Sequence, residues 1–180
     1  KSHDNSDENT LFTNITLVEP SKEIVRNYKY GDGFDRSVKI VGVDSNPDGG
    51  FVASVDLNKE EVSSVERLPN EAQASYSLAE VGLATMLTKE NKEYKDALKK
   101  RDVTNLDLVQ IDPWPGGGVV HESIKPGHRA MKAISFLKEN ENDNAYAKPI
   151  QGVISHVDLT LNEVTCVEDF GVVPIPKAHA

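Results

Sequence analysis

The sequence has little of what a disulfide scaffold, a membrane protein or a nucleic-acid-binding protein requires. It has a single cysteine, Cys166, so no internal disulfide can form. No stretch approaches the roughly 20 apolar residues that span a bilayer, and the first ten residues contain no apolar core of a signal peptide. The formal net charge of −9 supplies no positive field for phosphates or anionic lipid. We therefore expect neither nucleic acid nor a membrane as a partner.

The sequence also lacks the short motifs that mark metal and catalytic sites. Its five histidines form no H-x-H, H-x-x-H or H-E-x-x-H pair. His156 is expected to face solvent from a strand, and His121 and His128 flank a loop that would have to fold back to share a metal. No G-x-S-x-G elbow surrounds a serine, and no sequence partner marks Cys166 as a nucleophile. We predict no metal, no cofactor and no complete catalytic site in this chain.

Three further features have plain structural interpretations. Cys166 lies between valines, as a small apolar strand residue does, with a reactive or intermolecular thiol as the weaker alternative. The glycines at 116–118 precede no helix and no G-K-S/T ending, so they predict a turn rather than a phosphate loop. The sequon at Asn14 lies in a predicted strand, so the compartment stays undetermined.

The chain contains an internal repeat. Residues 55–66 and 157–168 are identical at seven of twelve positions at an offset of 102. Upstream, an offset of 93 makes three further pairs, which are Glu19-Pro20 with Asp112-Pro113, Arg36 with Arg129, and Lys39 with Lys132. The offset changes only once, from 93 to 102. The residues that make up this difference are predicted to lie in the polar loop 138–149, which is longer than its counterpart 44–50. The pattern indicates tandem duplication followed by divergence of one loop.

Each copy is predicted to form a four-stranded antiparallel sheet. Residues 12–19, 38–43 and 51–57 alternate apolar and polar side chains, and residues 58–60 and 46–50 connect strands as hairpins. In both copies the next strand departs from a period of two, since Val62 and Val65 are three apart, as are Val164 and Val167. This irregularity indicates a β-bulge in each copy. The carboxylates that recur at the hairpins, Asp56, Glu61, Asp158 and Glu163, are interpreted as structural rather than catalytic.

A helix should cover the apolar face of each sheet. In the second copy, Ser77 and Glu80 have capping-box spacing and begin a helix whose apolar face we assign to Leu78, Val81, Thr85 and Met86. Further helical turns place Tyr94, Ala97 and Leu98 on one side. The ten polar residues before Phe12 predict no equivalent helix in the first copy, which suggests a fragment of a longer chain. The predicted fold is α+β, with tandem units at residues 1–70 and 71–180.

The stretch 95–117, which contains Asp112-Pro113-Trp114, resembles the third domain of copper-dependent primary-amine oxidases. Residues 12–23 resemble the opening strand of the second domain of that family, and residues 169–176 resemble the exit from the third. The resemblance covers almost the whole chain. One departure is Asp102, because the family usually has glycine after lysine-arginine, where a left-handed helix C-cap is expected.

The resemblance implies two cystatin-like domains that flank a C-terminal catalytic domain. In the family, that domain carries copper on three histidines, an aspartate base, and a topaquinone made from the tyrosine of T-x-x-N-Y-D/E. Tyr146 follows Asn144-Ala145 and does not meet this motif, so we interpret it as a packing residue. The third domain also contributes walls of the amine channel, which by position implicates Val119, Ala147, Pro149 and Ile150. The alternative is that these apolar residues only pack.

Three functions follow as hypotheses. The leading one is a non-catalytic region of a copper amine oxidase that deaminates primary amines, with copper and topaquinone in the parent enzyme only. Its partners would be the C-terminal catalytic domain, a second copy in a homodimer, and a primary amine substrate. The second is a free-standing cystatin-like binding module, since fold does not determine function. The weakest is an unrecognised small enzyme, which would need a convergent polar site.

Overall fold

A computed structural model describes residues 10–44, 49–69, 72–117 and 119–175. The chain divides into two compact units, Lys1–Tyr76 and Ser77–Ala180. Each contains a four-stranded antiparallel sheet with its strands in sequence order, which confirms the predicted α+β class and the tandem arrangement. None of the helices among the described residues is both long enough and apolar enough to cross a lipid bilayer.

The helices and strands have the following bounds. The first unit contains β1 (Leu11–Leu17), α1 (Lys22–Asn27), β2 (Ser37–Val43), β3 (Gly50–Asp56) and β4 (Glu61–Arg67). The second unit contains α2 (Leu78–Glu90), α3 (Lys92–Lys99), β5 (Val109–Pro115), β6 (Ala130–Leu137), β7 (Val153–Asp158) and β8 (Glu163–Asp169). Short 3₁₀ helices at Leu106–Leu108 and Ala145–Ala147 precede β5 and follow β6.

The predicted β-bulges are confirmed at equivalent places in the two sheets. In the first, the pairing passes from Ser54 with Ser64 to Val55 with Val62, which leaves one extra residue on β4. In the second, it passes from His156 with Cys166 to Val157 with Val164, which leaves Thr165 as the extra residue on β8. The bulge explains the spacing of three because both valines must return to the same face.

The hairpin carboxylates support turns, as the repeat predicted. Oδ1 of Asp56 accepts hydrogen bonds from the backbone N–H groups of Asn58 and Lys59, at 2.9 and 3.1 Å. Oδ1 of Asp158 accepts the equivalent bonds from Thr160 and Leu161, also at 2.9 and 3.1 Å. Each aspartate therefore satisfies two donors that a tight turn would otherwise leave unpaired.

The predicted match of Glu19-Pro20 with Asp112-Pro113 is wrong. Val38 of β2 and Met131 of β6 are 93 residues apart and structurally equivalent, but their partners Leu17 and Pro115 are 98 apart. The offset therefore changes twice, because the connection from β1 to β2 is five residues longer than that from β5 to β6. That connection contains α1, which the sequence pattern did not predict.

Helix α2 begins at the predicted capping box. The Ser77 hydroxyl accepts a hydrogen bond from the Glu80 backbone N–H at 3.2 Å, and a Glu80 carboxylate oxygen accepts one from the Ser77 backbone N–H at 2.8 Å. The other Glu80 oxygen accepts from Nε of Arg129 at 2.5 Å. Burial alone would raise the pKa of Glu80, but Arg129 and Ser77 together lower it.

The apolar face that we predicted for α2 is wrong at two of its four residues, Leu78 and Met86, whereas Val81 and Thr85 are half-buried. Leu78 is 89% exposed and Met86 is 48% exposed, whereas Ala84 and Thr88 are fully buried. The apolar residues of this helix are distributed around its whole circumference, so their spacing does not identify a single apolar face. Glu80 forms an ion pair with Arg129, the residue immediately before β6. This contact accompanies the burial of the side of α2 that carries Ala84.

The core of the second unit lies between α3 and one face of its sheet, here called the inner face. Tyr94, Ala97 and Leu98 are buried there, as predicted, against residues of β5, β6 and β7. The Tyr94 hydroxyl lies 2.7 Å from the Ser135 hydroxyl, and burial raises the pKa of Tyr94 to about 12. The phenol is therefore neutral at physiological pH and forms a polar contact inside the core.

The first sheet has an apolar face that is exposed along its two edge strands and buried at Phe51 and Ala53 of the inner strand β3. Phe12, Ile15 and Leu17 of β1 are 53%, 62% and 61% exposed, and Val62 and Val65 of β4 are 44% and 51% exposed. The pairing register places all five on one face of the sheet. The prediction that a covering helix is missing before Phe12 concerns residues 1–9, which lie outside the described residues.

Arg101 joins the end of α3 to the ends of β7 and β8. Its guanidinium, 1% exposed, donates hydrogen bonds to Asp169 Oδ1 at 2.8 Å and to backbone carbonyls on both sides. The carbonyl acceptors are Ala97 at 2.9 Å, Gln151 at 3.1 Å, Gly152 at 3.1 Å and Gly171 at 2.5 Å. The pKa of the Asp169 carboxyl is well below its usual range, because Lys100 and then Arg101 donate to it.

Asp102 occupies a position that favours glycine. Its φ is 58°, in the left-handed region. The backbone N–H of Val103 bonds to the Leu98 carbonyl at 3.1 Å, and that of Asp102 bonds to the Lys99 carbonyl at 3.0 Å. This pair is a Schellman motif, and Leu98 and Val103 make its apolar contact within the core. The departure from the family pattern thus falls on a strained residue.

We expect Arg101→Ala to lower the free energy of unfolding of the second unit by about 3–5 kcal/mol, because it removes a buried charge and leaves its acceptors unpaired. Urea denaturation monitored by circular dichroism measures this loss. Lys100→Ala is the control, since Lys100 bonds to the same carboxylate from an exposed position and should cost far less. Equal losses in the two variants would contradict the assignment.

We expect Asp102→Gly to raise the free energy of unfolding by about 1 kcal/mol, because glycine adopts the left-handed conformation without the Cβ penalty. The same urea titration measures the gain. Asp102→Ala keeps a Cβ at the same φ and should give no such gain. If the alanine variant were stabilised as much as the glycine variant, backbone strain would not be the cause.

Candidate functional site

The connection from β5 to β6, residues 116–129, lies against the outer face of the second sheet, opposite the inner face. Its ends are held by a hydrogen bond from the Gly116 N–H to the Ala130 carbonyl at 3.3 Å and by His128, whose Nδ1 lies 2.6 Å from Asp158 Oδ2. Ile124 anchors the middle and is 4% exposed. Gly118 lies outside the described residues.

A groove of about 270 Å³ lies between this connection and the sheet. Its lining includes apolar side chains from the connection and polar side chains from β7 and β8. They include Val119, Val120, His121, Ile124, His156 and Glu168. The groove therefore combines an apolar wall with ionisable groups on its floor.

His121, His156 and Glu168 form a cluster in this groove, and we call them the His-His-Glu cluster. One potential ligand atom from each lies within 4.8 Å of the others. Nε2 of His156 is 2.7 Å from Glu168 Oε2, and the two imidazole rings stack with their centroids 4.4 Å apart. All three side chains are half-buried. The connection brings His121 to His156, so the expectation that His156 faces solvent is wrong, whereas His128 pairs with Asp158 and does not join His121.

Cys166 borders the cluster. It pairs with His156 across β7 and β8, so both side chains lie on the outer face, and its Sγ is 3.8 Å from Nε2 of His121. Burial raises the pKa of the Cys166 thiol, and the nearby Glu168 raises it further. The thiol is therefore protonated at neutral pH, which disfavours its action as a nucleophile.

The four residues predicted to line a channel lie in two different segments. Val119 is 84% exposed on the β5–β6 connection. Ala147 is exposed, Pro149 is half-buried and pairs with Phe136 of β6, and Ile150 is 3% exposed within the core. Among the described residues, the groove that contains Val119 is lined by none of the other three. Val119 and Ala147 thus present accessible surface, whereas Ile150 contributes to core packing.

Tyr146 packs locally. Its ring makes an edge-to-face contact with Phe136, with centroids 4.9 Å apart, and its side chain is 57% exposed. This contact fits the interpretation of Tyr146 as a packing residue.

Comparison with known proteins assigns the family. The sequence profile of the copper amine oxidase N3 domain matches residues 79–180, more than half of the chain. The chain belongs to the copper amine oxidase family. Residues 79–180 are the N3 domain, a region of the longer enzyme, so the resemblance seen in the sequence is confirmed.

Curated copper amine oxidases match both units of this chain. A primary amine oxidase of Arthrobacter sp. (strain P1) is 33% identical over 172 residues, which are 96% of this chain and 26% of that protein. Histamine oxidase of Arthrobacter globiformis is 27% identical over 176 residues, 96% of this chain and 25% of that protein. The chain therefore spans about a quarter of the length of these relatives.

A solved copper amine oxidase has the same fold. The copper-containing benzylamine oxidase of Hansenula polymorpha superposes with a TM-score of 0.66, covering 89% of this chain and 26% of that one. The sequence identity is 14%, so this likeness supports the fold alone.

The described residues do not fit the copper and quinone centre that the resemblance implies for the family. That centre needs three imidazoles, whereas His121 and His156 are the two that come together in the described ranges, and His128 pairs with Asp158. The sequence around Tyr146 lacks the motif of the quinone precursor. No step of amine oxidation is therefore derived from this chain.

Proposed function

We propose that this chain is a non-catalytic N-terminal region of a copper amine oxidase. The whole protein would deaminate primary amines to aldehyde, ammonia and hydrogen peroxide, using copper and topaquinone in a C-terminal domain. The match of the N3 domain to residues 79–180 carries the proposal. Relatives named as primary amine and histamine oxidases, which match over 96% of this chain, support it.

The first unit would be the second domain of the same enzyme, with a role in packing. The exposed edge strands of its apolar face support this assignment, because contiguous exposed apolar surface on a soluble protein usually marks an interaction site. Phe12, Ile15 and Leu17 of β1 and Val65 of β4 are each more than half exposed. The partner would be the remainder of the same polypeptide, within a homodimeric enzyme.

The third-domain unit would contribute walls of the amine channel. Val119 and Ala147, on two different segments, are the predicted residues that present accessible apolar surface, and Pro149, close to Ala147 in the chain, bridges to Phe136 of β6. Ile150 would act indirectly, since its burial against the core positions residues 147–149. Apolar walls suit the alkyl or aryl part of a primary amine, whose transfer from water they favour.

We expect the 180-residue chain alone to release no hydrogen peroxide from primary amines, because the described residues hold no three-imidazole copper site. A peroxidase-coupled assay with benzylamine, methylamine and histamine, with and without added Cu²⁺, measures this. The full-length protein is the positive control. Amine-dependent peroxide from the purified chain would contradict the non-catalytic role.

We expect Val119→Phe in the full-length enzyme to change KM across a series of amines, by roughly tenfold for the bulkiest, with kcat for methylamine retained. The added ring would narrow the channel wall without touching the reacting atoms. Leu161→Phe, on the exposed turn between β7 and β8, is the control and should leave the series unchanged. An unchanged KM series for Val119→Phe would remove the channel assignment.

A further inference from the structure

The His-His-Glu cluster has the ligand chemistry of a transition-metal site. Two imidazole nitrogens and a carboxylate oxygen lie within 4.8 Å of one another, and a thiol lies beside them. Nitrogen, oxygen and sulfur ligands from these side-chain types are those that Zn²⁺ binds in proteins. We propose that His121, His156 and Glu168 bind a divalent cation of the Zn²⁺ class, with Cys166 as the fourth ligand once the cation has displaced its thiol proton to solvent.

The ligand atoms of the His-His-Glu cluster could take tetrahedral positions after small side-chain rotations, whereas Cys166 Sγ lies outside that set and would have to rotate towards it. Zn–N and Zn–O bonds of about 2.0–2.2 Å place tetrahedral ligand atoms roughly 3.3 Å apart. His156 Nε2 and Glu168 Oε2, now 2.7 Å apart, would separate by about half an ångström to admit the ion. His121 Nε2 and Cys166 Sγ, at 3.8 Å, are already near the roughly 3.6 Å that a longer Zn–S bond requires.

A hydrogen-bonded chain behind the cluster orients His121. Nδ1 of His121 lies 2.8 Å from the Ser123 hydroxyl, which lies 2.8 Å from the Thr165 hydroxyl, and this in turn donates to the His156 carbonyl at 3.3 Å. With the proton on Nδ1, every donor in this chain finds an acceptor and Nε2 is free to bind a metal. The backbone N–H of Ser123 lies 3.1 Å from Nδ1 and favours the opposite tautomer, so a metal at Nε2 would require the imidazole proton to move to Nδ1 and this N–H to lose its acceptor.

The sheet itself does not require these ligands. At the offset of 102, His156 corresponds to Ser54 and Cys166 to Ser64, and these serines pair in the first sheet as His156 and Cys166 do in the second. His121 lies on the β5–β6 connection, which differs in length from its counterpart. The first sheet thus forms the same bulged strand pair with serines, so His156 and Cys166 are not needed for that pair, whereas Glu168 corresponds to Glu66 and occurs in both copies.

The choice of metal follows from the ligands. Imidazole and thiolate suit borderline cations such as Zn²⁺, whereas Ca²⁺ and Mg²⁺ prefer sites built wholly from oxygen. A bound Zn²⁺ would bridge the β5–β6 connection, through His121, to β7 and β8. Its role would therefore be to hold this connection against the sheet.

The test uses the 180-residue chain, reduced and treated with a chelator. Isothermal titration with Zn²⁺ should show one equivalent bound, and Zn²⁺ should raise Tm. Titration with Co²⁺, a spectroscopic substitute for Zn²⁺, should give the visible absorption of tetrahedral Co²⁺ together with a near-ultraviolet band from thiolate coordination. Mg²⁺ should give none of these signals.

Variants assign the ligands. His121→Asn and His156→Ser should each weaken Zn²⁺ binding by about 100-fold, since each removes one of four ligands. Cys166→Ser should abolish the near-ultraviolet Co²⁺ band. His156→Ser and Cys166→Ser introduce the residues of the first copy, so the fold should persist, as circular dichroism would verify. Glu122→Gln is the control, because it removes an exposed carboxylate beside His121 and should leave affinity unchanged.

Two results would overturn the proposal. One is the absence of saturable binding at one equivalent of Zn²⁺ in the wild-type chain. The other is wild-type affinity in His121→Asn, which changes a residue on the connection and leaves the strands intact. If His156→Ser proved unfolded, His121→Asn and the Co²⁺ spectrum of Cys166→Ser would still decide the question.

Discussion

The second unit depends on the buried guanidinium of Arg101. A charge in that position is tolerated because Asp169 and four backbone carbonyls accept its hydrogen bonds. The bonds tie the last turn of α3 to the start of β7 and the end of β8, so the helix is held where Tyr94 and Leu98 fill the core. The pKa of Asp169 is well below its usual range, so its carboxylate stays ionised in this ion pair even in mildly acidic solution. Helix α3 thereby covers the inner face of the sheet, and the β5–β6 connection lies against the outer face.

The two units share a frame and differ in their connections. Asp56 and Asp158 satisfy the same turn donors, and both sheets carry the same bulge. The connections between the first two strands differ, however. In the first unit the connection contains α1, and in the second it is the segment 116–129, which brings His121 over the sheet. Because loops absorb changes in length at low cost, the connections could diverge without altering the strand pairing. One residue of the candidate site, His121, lies in such a connection, whereas His156 and Glu168 lie on β7 and β8.

Membership of the copper amine oxidase family gives these features a setting. The relatives are about four times as long as this chain, so most of such an enzyme lies outside it. Under the proposed function, the exposed apolar face of the first sheet packs within the larger protein and Val119 contributes to a channel wall. Neither role needs a reacting group, which agrees with the location of Tyr94 and Tyr146 in packing contacts.

The sequence by itself determined the local features, because neighbouring residues produce them. Alternation predicted the strands, the spacing of Val62 and Val65 predicted the bulge, and Ser77 predicted a helix start, all of which the structure contains. The tertiary structure determined which side of α2 is buried, because the apolar residues of that helix are distributed around its whole circumference. The His-His-Glu cluster was decided likewise. His121 and His156 are 35 residues apart, and only strand register and the path of a loop across the sheet bring them together.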